Sequence, residues 1–199
     1  MSRNGGAPTR PRLIVGISGA SGAIYGRRVL EVLREMEIES HLVISQAARL
    51  TIAQETDFTP ADLEAIASVT HSNKDVGASC ASGSFRTLGM IVAPCSVKSL
   101  SEIATGMTTS LLSRAADVCL KERRRLVLML RETPLHLGHI RSMAAVTEMG
   151  GIIYPPVPAF YAQPTSIAEM VDHTVGRVLD LFDLDSGLSH RWEGLRRGL

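Results

Sequence analysis

Two rhythms of apolar and polar positions alternate along the chain. Short apolar runs occur at Leu13–Ile17, 40–45 (SHLVIS), 90–94 (MIVAP), 125–130 (RLVLML) and the start of 152–161 (IIYPPVPAFY). Each has strand length and is bounded by glycine, proline or polar residues, which predicts buried β-strands. Between them, apolar residues recur every three or four positions. Val29, Leu30, Leu33 and Met36 share one face of a helix predicted over Ala23–Met36. Further helices are predicted over Ala47–Glu55, Pro60–Ala67 (with Thr59 as its cap), Val97–Ile103, Ser110–Arg123, His136–Met149 and Ile167–Leu181. Residues 71–89 (HSNKDVGASCASGSFRTLG) are rich in serine and glycine and read as a loop. A loop of that length inside a compact domain is commonly functional. Strands alternating with helices predict one α/β domain, a parallel sheet covered on both faces. No internal repeat or linker interrupts it.

Composition narrows the function classes. The 199 residues carry 21 Lys and Arg against 20 Asp and Glu, a formal charge of +1. Such a balance gives no electrostatic case for nucleic acid or an anionic membrane. No apolar run reaches the roughly 20 residues of a membrane span. The first residues, MSRNGGAPTRPR, lack the apolar core of a signal peptide and are expected to be a flexible tail over 1–11. A domain is expected over 12–184, with a C-terminal extension over 185–199. Cys80, Cys95 and Cys119 are an odd set without paired spacing, as expected of reduced, buried thiols in a cytoplasmic protein.

Open α/β sheets bind ligands beyond the carboxyl ends of their strands, which directs attention to the residues just past each strand. The first turn, GISGASGAIYG, spaces its glycines as Gly16, Gly19 and Gly22. A dinucleotide fingerprint needs G-x-G-x-x-G and an acidic residue after the second strand. Here the first spacing differs, Ser45 stands at the second strand end, and Ser18 and Ser21 crowd the turn. The turn suits one phosphate or a flavin edge better than a dinucleotide, or serves only as a tight strand-to-helix connection. In PCSVKS, Ser96, Lys98 and Ser99 open a helix, which is either a second anion site or plain capping by Ser96. Arg131 and Glu132 follow a buried strand directly. Arg131 has the geometry to clamp a phosphate and Glu132 to exchange a proton; the alternative is a mutual surface ion pair. Arg114, Asp117 and Lys121 share a helix face, which reads as a solvated charge stripe. His136 and His139, without a nearby carboxylate, make a poor metal site, and no metal is expected.

Taken together, these stretches resemble the UbiX-type flavin prenyltransferases, in particular the small subunits associated with hydroxyarylic-acid (phenolic acid) decarboxylases. The resemblance rests on GISGASGAIYG, HLVIS, ASGSF, GMIVAPCSVKSL, RAADVCLKERR, LVLMLRETPL, PPVPAFYAQP, MVDHTVGRVLD and RWEG, in order from about residue 12 to residue 194. It implies a Rossmann-like, flavodoxin-type three-layer fold assembled into dodecamers. It also implies a metal-independent reaction joining a dimethylallyl group to N5 and C6 of reduced FMN. The product, prenylated FMN, is the cofactor of a separate UbiD-type decarboxylase. By motif, FMN would be held by Gly19, Ala20, Ser21, Ser45, Ser96, Val97, Lys98, Ser99 and Arg131. Dimethylallyl phosphate would be held by Tyr161 and Arg177, with Ser82 near its phosphate and with Arg114 and Lys121 reaching in from a neighbouring subunit. Ser21 and Glu132 would serve proton transfers.

One departure accompanies the resemblance. Some members of the family carry a tryptophan in the long loop, but KDVGASCASGS (74–84) has no aromatic residue and Trp192 is the chain's single tryptophan. Two other readings compete. One is a non-catalytic FMN-binding subunit of a decarboxylase. The other is a flavin-dependent cysteine decarboxylase, whose early catalytic histidine and Pro-x-Met-Asn motif have no counterpart here: the first histidine is His41, and PCSVKS occupies the second position.

Overall fold

A computed structural model describes residues 10–189. It divides into two compact units, Met1–Pro156 and Val157–Leu199. The strands of the first unit are β1 (Arg12–Ile17), β2 (Glu39–Ile44), β3 (Val69–Ser72), β4 (Gly89–Cys95), β5 (Arg125–Leu130) and β6 (Ile152–Ile153). They form one six-stranded sheet in the order β3-β2-β1-β4-β5-β6. Every pairing is parallel. The same unit holds the helices α1 (Ala23–Glu35), α2 (Gln46–Glu55), α3 (Pro60–Ile66), α4 (Val97–Thr105), α5 (Leu111–Lys121) and α6 (Leu137–Glu148).

The apolar runs became the strands because parallel strands are buried on both faces. Leu13, Val15, Ile17, Leu42, Val43, Ile91, Val92, Val127, Leu128 and Met129 are fully enclosed. Successive side chains point to opposite faces. Ile14, Met90, Val92, Leu126 and Leu128 pack with Leu100 and Ile103 of α4 and Leu111, Leu112 and Ala115 of α5. Neighbouring Gly16 lets α5 approach closely: a Cβ there would lie 3.3 Å from Leu112 Cδ1. The opposite face carries α1. At Gly26 an added Cβ would lie 2.3 Å from the Ala93 carbonyl oxygen and 2.9 Å from Ile17 Cδ1.

The predicted elements are present, with ends displaced by a few residues at most, and β3 is added to them. That strand lies inside and just before the stretch read as a loop. VTHS holds one apolar residue and is mostly exposed, since β3 is an edge strand with β2 as its one sheet neighbour. No alternation marks it. The five strands read from sequence, taken alone, give the flavodoxin order, and the sixth extends it to the Rossmann order. The rest of the long connection contains a 3-10 turn over Ser79–Ala81, whose Cys80 and Ala81 enter the core beside Val43 and Cys119.

In the second unit, α7 (Ile167–Asp180) starts at Ser166, which accepts a hydrogen bond from Glu169 N. Gly176 leaves room for the following chain, since a Cβ there would lie 2.7 Å from Ser189 N. The RWEG motif and the outer parts of both predicted tails lie outside the described residues.

Candidate functional site

The site is built where the sheet changes direction. β1 lies between β2 and β4. Its connection leads to α1 on one face, while that of β4 leads to α4 on the other. The two connections diverge, and a crevice opens at the carboxyl ends of the strands. Backbone and hydroxyl bonds lace those ends together. Ser18 is 1% exposed. Its hydroxyl donates to the Pro94 carbonyl at 2.9 Å and accepts from Ser96 N at 2.7 Å. Ser45 N donates to Ile17 O at 2.9 Å, and Arg131 N donates to Cys95 O at 3.0 Å. Gly19, Ala20, Ser21, Ser45, Ser96–Ser99, Arg131 and Glu132 therefore share one rim.

Local chemistry differs around that rim. Ser45 caps α2 by accepting from Ala48 N at 3.1 Å. Ser96 caps α4 by accepting from Ser99 N at 3.3 Å, and its hydroxyl donates to Ser99 Oγ at 3.3 Å. Capping and a ligand role are compatible, since a hydroxyl has one proton and two lone pairs. By contrast α1 begins at Gly22, φ 101°, with no side-chain cap. Its first-turn N–H groups and positive dipole end stand beside the Ser21 hydroxyl, which has no hydrogen-bond partner among the described residues. Such a start accommodates an anion or a flavin edge.

Arg131 is exposed and makes no ion pair among the described residues, so the expected alternative of a pair with Glu132 is not formed. The Glu132 carboxylate instead accepts from Thr133 N at 3.0 Å. This leaves the guanidinium available to an anionic ligand. Lys98, at the same helix start, is engaged by Glu102 at 2.7 Å. The buried thiols take no part: burial pushes Cys80 up to about 11 and both Cys95 and Cys119 up to about 12. His136 and His139 stack with ring centroids 3.6 Å apart.

Two residues gained meaning only in three dimensions. Glu55, at the end of α2, accepts from Gly22 N at 3.0 Å. With Ser21, Gly22, Ala23, Ile24, Thr56, Asp57 and Phe58 it lines an open depression of about 430 Å³. A lone carboxylate at a helix end carries no distinctive sequence signal. Ser18, noted in the sequence only for its place in the turn, is the strut between two site loops.

The remaining predicted residues lie elsewhere. Lys121 ends α5, just before β5 begins, whereas Arg131 directly follows it. The six residues of β5 span about 20 Å. Lys121 thus belongs to the opposite end of the sheet from the rim. It lies beside the Ser82 turn and pairs with Glu122 at 2.5 Å. Arg114 pairs with Asp117 at 2.7 Å. In the second unit, Tyr161 Oη is 3.2 Å from His173 Nε2, and Arg177 pairs with Asp180 at 2.6 Å.

Known proteins share this arrangement. The family model described as Flavoprotein matches residues 1–179. The flavin prenyltransferase UbiX of Escherichia coli (strain K12) is 59% identical over 186 residues, 92% of this chain and 98% of that protein. The crystal structure of AnUbiX (PadA1) in complex with FMN and dimethylallyl pyrophosphate superposes with a TM-score of 0.92 at 51% identity, covering 94% of this chain and 100% of that one. A dodecameric FMN-dependent UbiX-like decarboxylase from Escherichia coli O157:H7 gives a TM-score of 0.89 at 48% identity, covering 92% and 100%. With the family model spanning most of its length and such identity over nearly whole chains, this protein belongs to the UbiX flavin prenyltransferases of the Flavoprotein family.

Proposed function

We infer that this chain transfers a dimethylallyl group to reduced FMN. The observation that carries the reading is 59% identity to a flavin prenyltransferase across nearly the full length of both chains. The site residues support it: a glycine turn opening an uncapped helix, hydroxyls at two further strand ends, and an unpaired arginine beside a carboxylate. In this reading Gly19, Ala20, Ser21, Ser45, Ser96, Val97, Lys98, Ser99 and Arg131 hold the flavin. Flavin N5 takes up the allyl group while phosphate leaves with the electron pair of its C–O bond, and C6 then closes a ring onto the allyl double bond, which gains a proton as C6 gives one up. The phosphate is held by Tyr161 and Arg177, with Ser82 near it and with Arg114 and Lys121 reaching in from a neighbouring copy. These cations take up the charge that builds on the leaving group. Glu132 and Ser21 move protons at the flavin edge. Holding both substrates together supplies up to roughly 7–11 kcal/mol by proximity.

The separation of Lys121 from Arg131 within one chain favours a site shared between copies, with Arg114, Lys121 and the Ser82 turn serving the prenyl phosphate at a neighbour's site. A dodecameric structural relative supports that assembly. The product is destined for a UbiD-type decarboxylase. Reconstitution tests the reading: an inactive UbiD-type apo-decarboxylase should gain activity when supplied with the product of this protein, reduced FMN and dimethylallyl phosphate. No activation by the product, with the decarboxylase responding to authentic prenylated FMN, would contradict it.

A further inference from the structure

The Ser82–Phe85 turn is held unusually firmly for an exposed part of a long connection. Phe85 N donates to Ser82 O at 3.2 Å, which closes the turn. The hydroxyls of Ser82 and Ser84 are 2.9 Å apart. Arg124 grips the same turn from outside. Its Nη1 donates to the Phe85 carbonyl and its Nη2 to the Gly83 carbonyl, each at 2.6 Å. A planar guanidinium offers two donors at a fixed angle, so one side chain sets the orientation of two peptide groups. Arg124 is itself anchored, since its backbone N donates to Cys119 O at 2.8 Å.

Gly83 brings that turn against the end of α5. A Cβ on Gly83 would lie 2.9 Å from Lys121 Nζ and 2.3 Å from Glu122 Oε1. The Lys121 ammonium therefore lies against Gly83, the residue between Ser82 and Ser84, and pairs with Glu122. On the other side, the Phe85 ring meets His41 edge-on at 4.8 Å. Both side-chain acceptors of Arg124 are loop carbonyls.

We propose that Arg124 is a positioning residue for prenyl transfer: it fixes the 82–85 turn so that the Ser82 hydroxyl and the Lys121 ammonium meet one phosphate together. The inference rests on the reading of Ser82 and Lys121 as ligands of the prenyl phosphate. Arg124 does not touch that phosphate. Its removal loosens the turn, and the loss appears in prenyl-phosphate binding rather than in flavin binding.

The test is steady-state prenylation of reduced FMN by the full-length protein and its variants, together with separate flavin titrations. Arg124→Ala should raise KM for dimethylallyl phosphate by about tenfold or more, the scale of losing hydrogen bonds to a charged group. Its FMN affinity should stay within about twofold of wild type, since the Arg124 side chain bonds only to the Phe85 and Gly83 carbonyls and to none of the residues assigned to the flavin. Arg124→Lys should recover part of the loss. An unchanged KM in Arg124→Ala, or an equal loss of FMN affinity, overturns the inference. Ser82→Ala and Lys121→Ala separate the two layers. If they raise KM and Arg124→Ala does not, the inference alone fails. If they leave KM unchanged, the ligand reading fails and the inference falls with it.

Discussion

Gly19→Ala is the substitution that most directly links packing to the proposed flavin site. The new Cβ would lie 2.3 Å from the Ala47 Cβ, and 3.1 and 3.2 Å from the Ala47 carbonyl carbon and Cα. Non-bonded carbons settle near 3.5 Å or beyond, so the first loop and the start of α2 must separate by about 1.2 Å. Neither side is free to move. The loop is tied through Ser18 to Pro94 and Ser96, and Ser45 N is tied to Ile17 O at 2.9 Å. Displacement by that amount carries a bond of this length to about 4 Å, outside hydrogen-bond range. Overpacking of this kind costs about 1–3 kcal/mol. Each 1.4 kcal/mol that falls on the binding geometry weakens FMN about tenfold. Urea unfolding measures the first quantity and quenching of flavin fluorescence the second. Ala47→Gly removes the nearest obstacle, leaving the 3.1 and 3.2 Å contacts, which shifts of a few tenths of an ångström relieve. Ala47 is exposed, so that change alone costs up to about 1 kcal/mol in helix propensity. The double variant should therefore be more stable than Gly19→Ala. A double variant whose loss is the sum of the two single losses would refute the steric reasoning, as would a Gly19→Ala protein with wild-type stability and affinity.

Other perturbations address the strut, the edge strand and the carboxylate. Ser18→Ala leaves the part-buried Ser96 N–H without its partner and should cost about 1–3 kcal/mol in urea unfolding; an unchanged midpoint would show that water replaces the hydroxyl. Burial first, then the facing His41 at 2.9 Å, hold His71 below its ordinary value of 6.5, against an opposing pull from Asp75. The folded state thus resists a proton that the unfolded chain accepts, so this contribution is intact above pH 6.5 and is lost as pH falls below it. His71→Gln should flatten the decline of stability between pH 6.5 and the lower folded-state value, whereas a slope equal to wild type would contradict the assignment. Glu132→Gln should slow prenyl transfer by about 10²–10⁴ with FMN binding retained. A wild-type rate would remove Glu132 from proton transfer.

The parts of this protein that were legible in sequence are those with strong periodicity or constrained turns. β1, β2, β4 and β5 are buried on both faces, so their apolar runs are continuous and bounded. Helix α1 shows its face through Val29, Leu30 and Leu33, all of which are enclosed. Thr59 and Ser96, the caps read from sequence, both cap, and Ser45 and Ser110 cap their helices as well. β3 was illegible because an exposed edge strand needs no apolar pattern. Glu55 was illegible because it meets Gly22 across 33 positions of sequence, a contact that the fold alone creates. Arg131 and Glu132 were visible as a charged pair at a strand end, yet sequence left open whether they neutralised each other. The structure turns Glu132 onto Thr133 and leaves Arg131 without an ion pair among the described residues. The arrangement of Lys121 against the Ser82 turn was likewise hidden, since helical spacing alone read Arg114, Asp117 and Lys121 as a solvated stripe.

The central claim is that this protein builds a carbon–nitrogen and a carbon–carbon bond onto reduced FMN. The most direct test incubates the purified protein anaerobically with reduced FMN and dimethylallyl phosphate, with the pyrophosphate in parallel, and reads the mass of the extracted flavin. A flavin heavier by one five-carbon prenyl unit, formed with release of phosphate from the monophosphate or of pyrophosphate from the pyrophosphate, is the predicted result. Flavin of unchanged mass with both donors, from protein that binds FMN, would contradict the account and leave a flavin-holding subunit in its place.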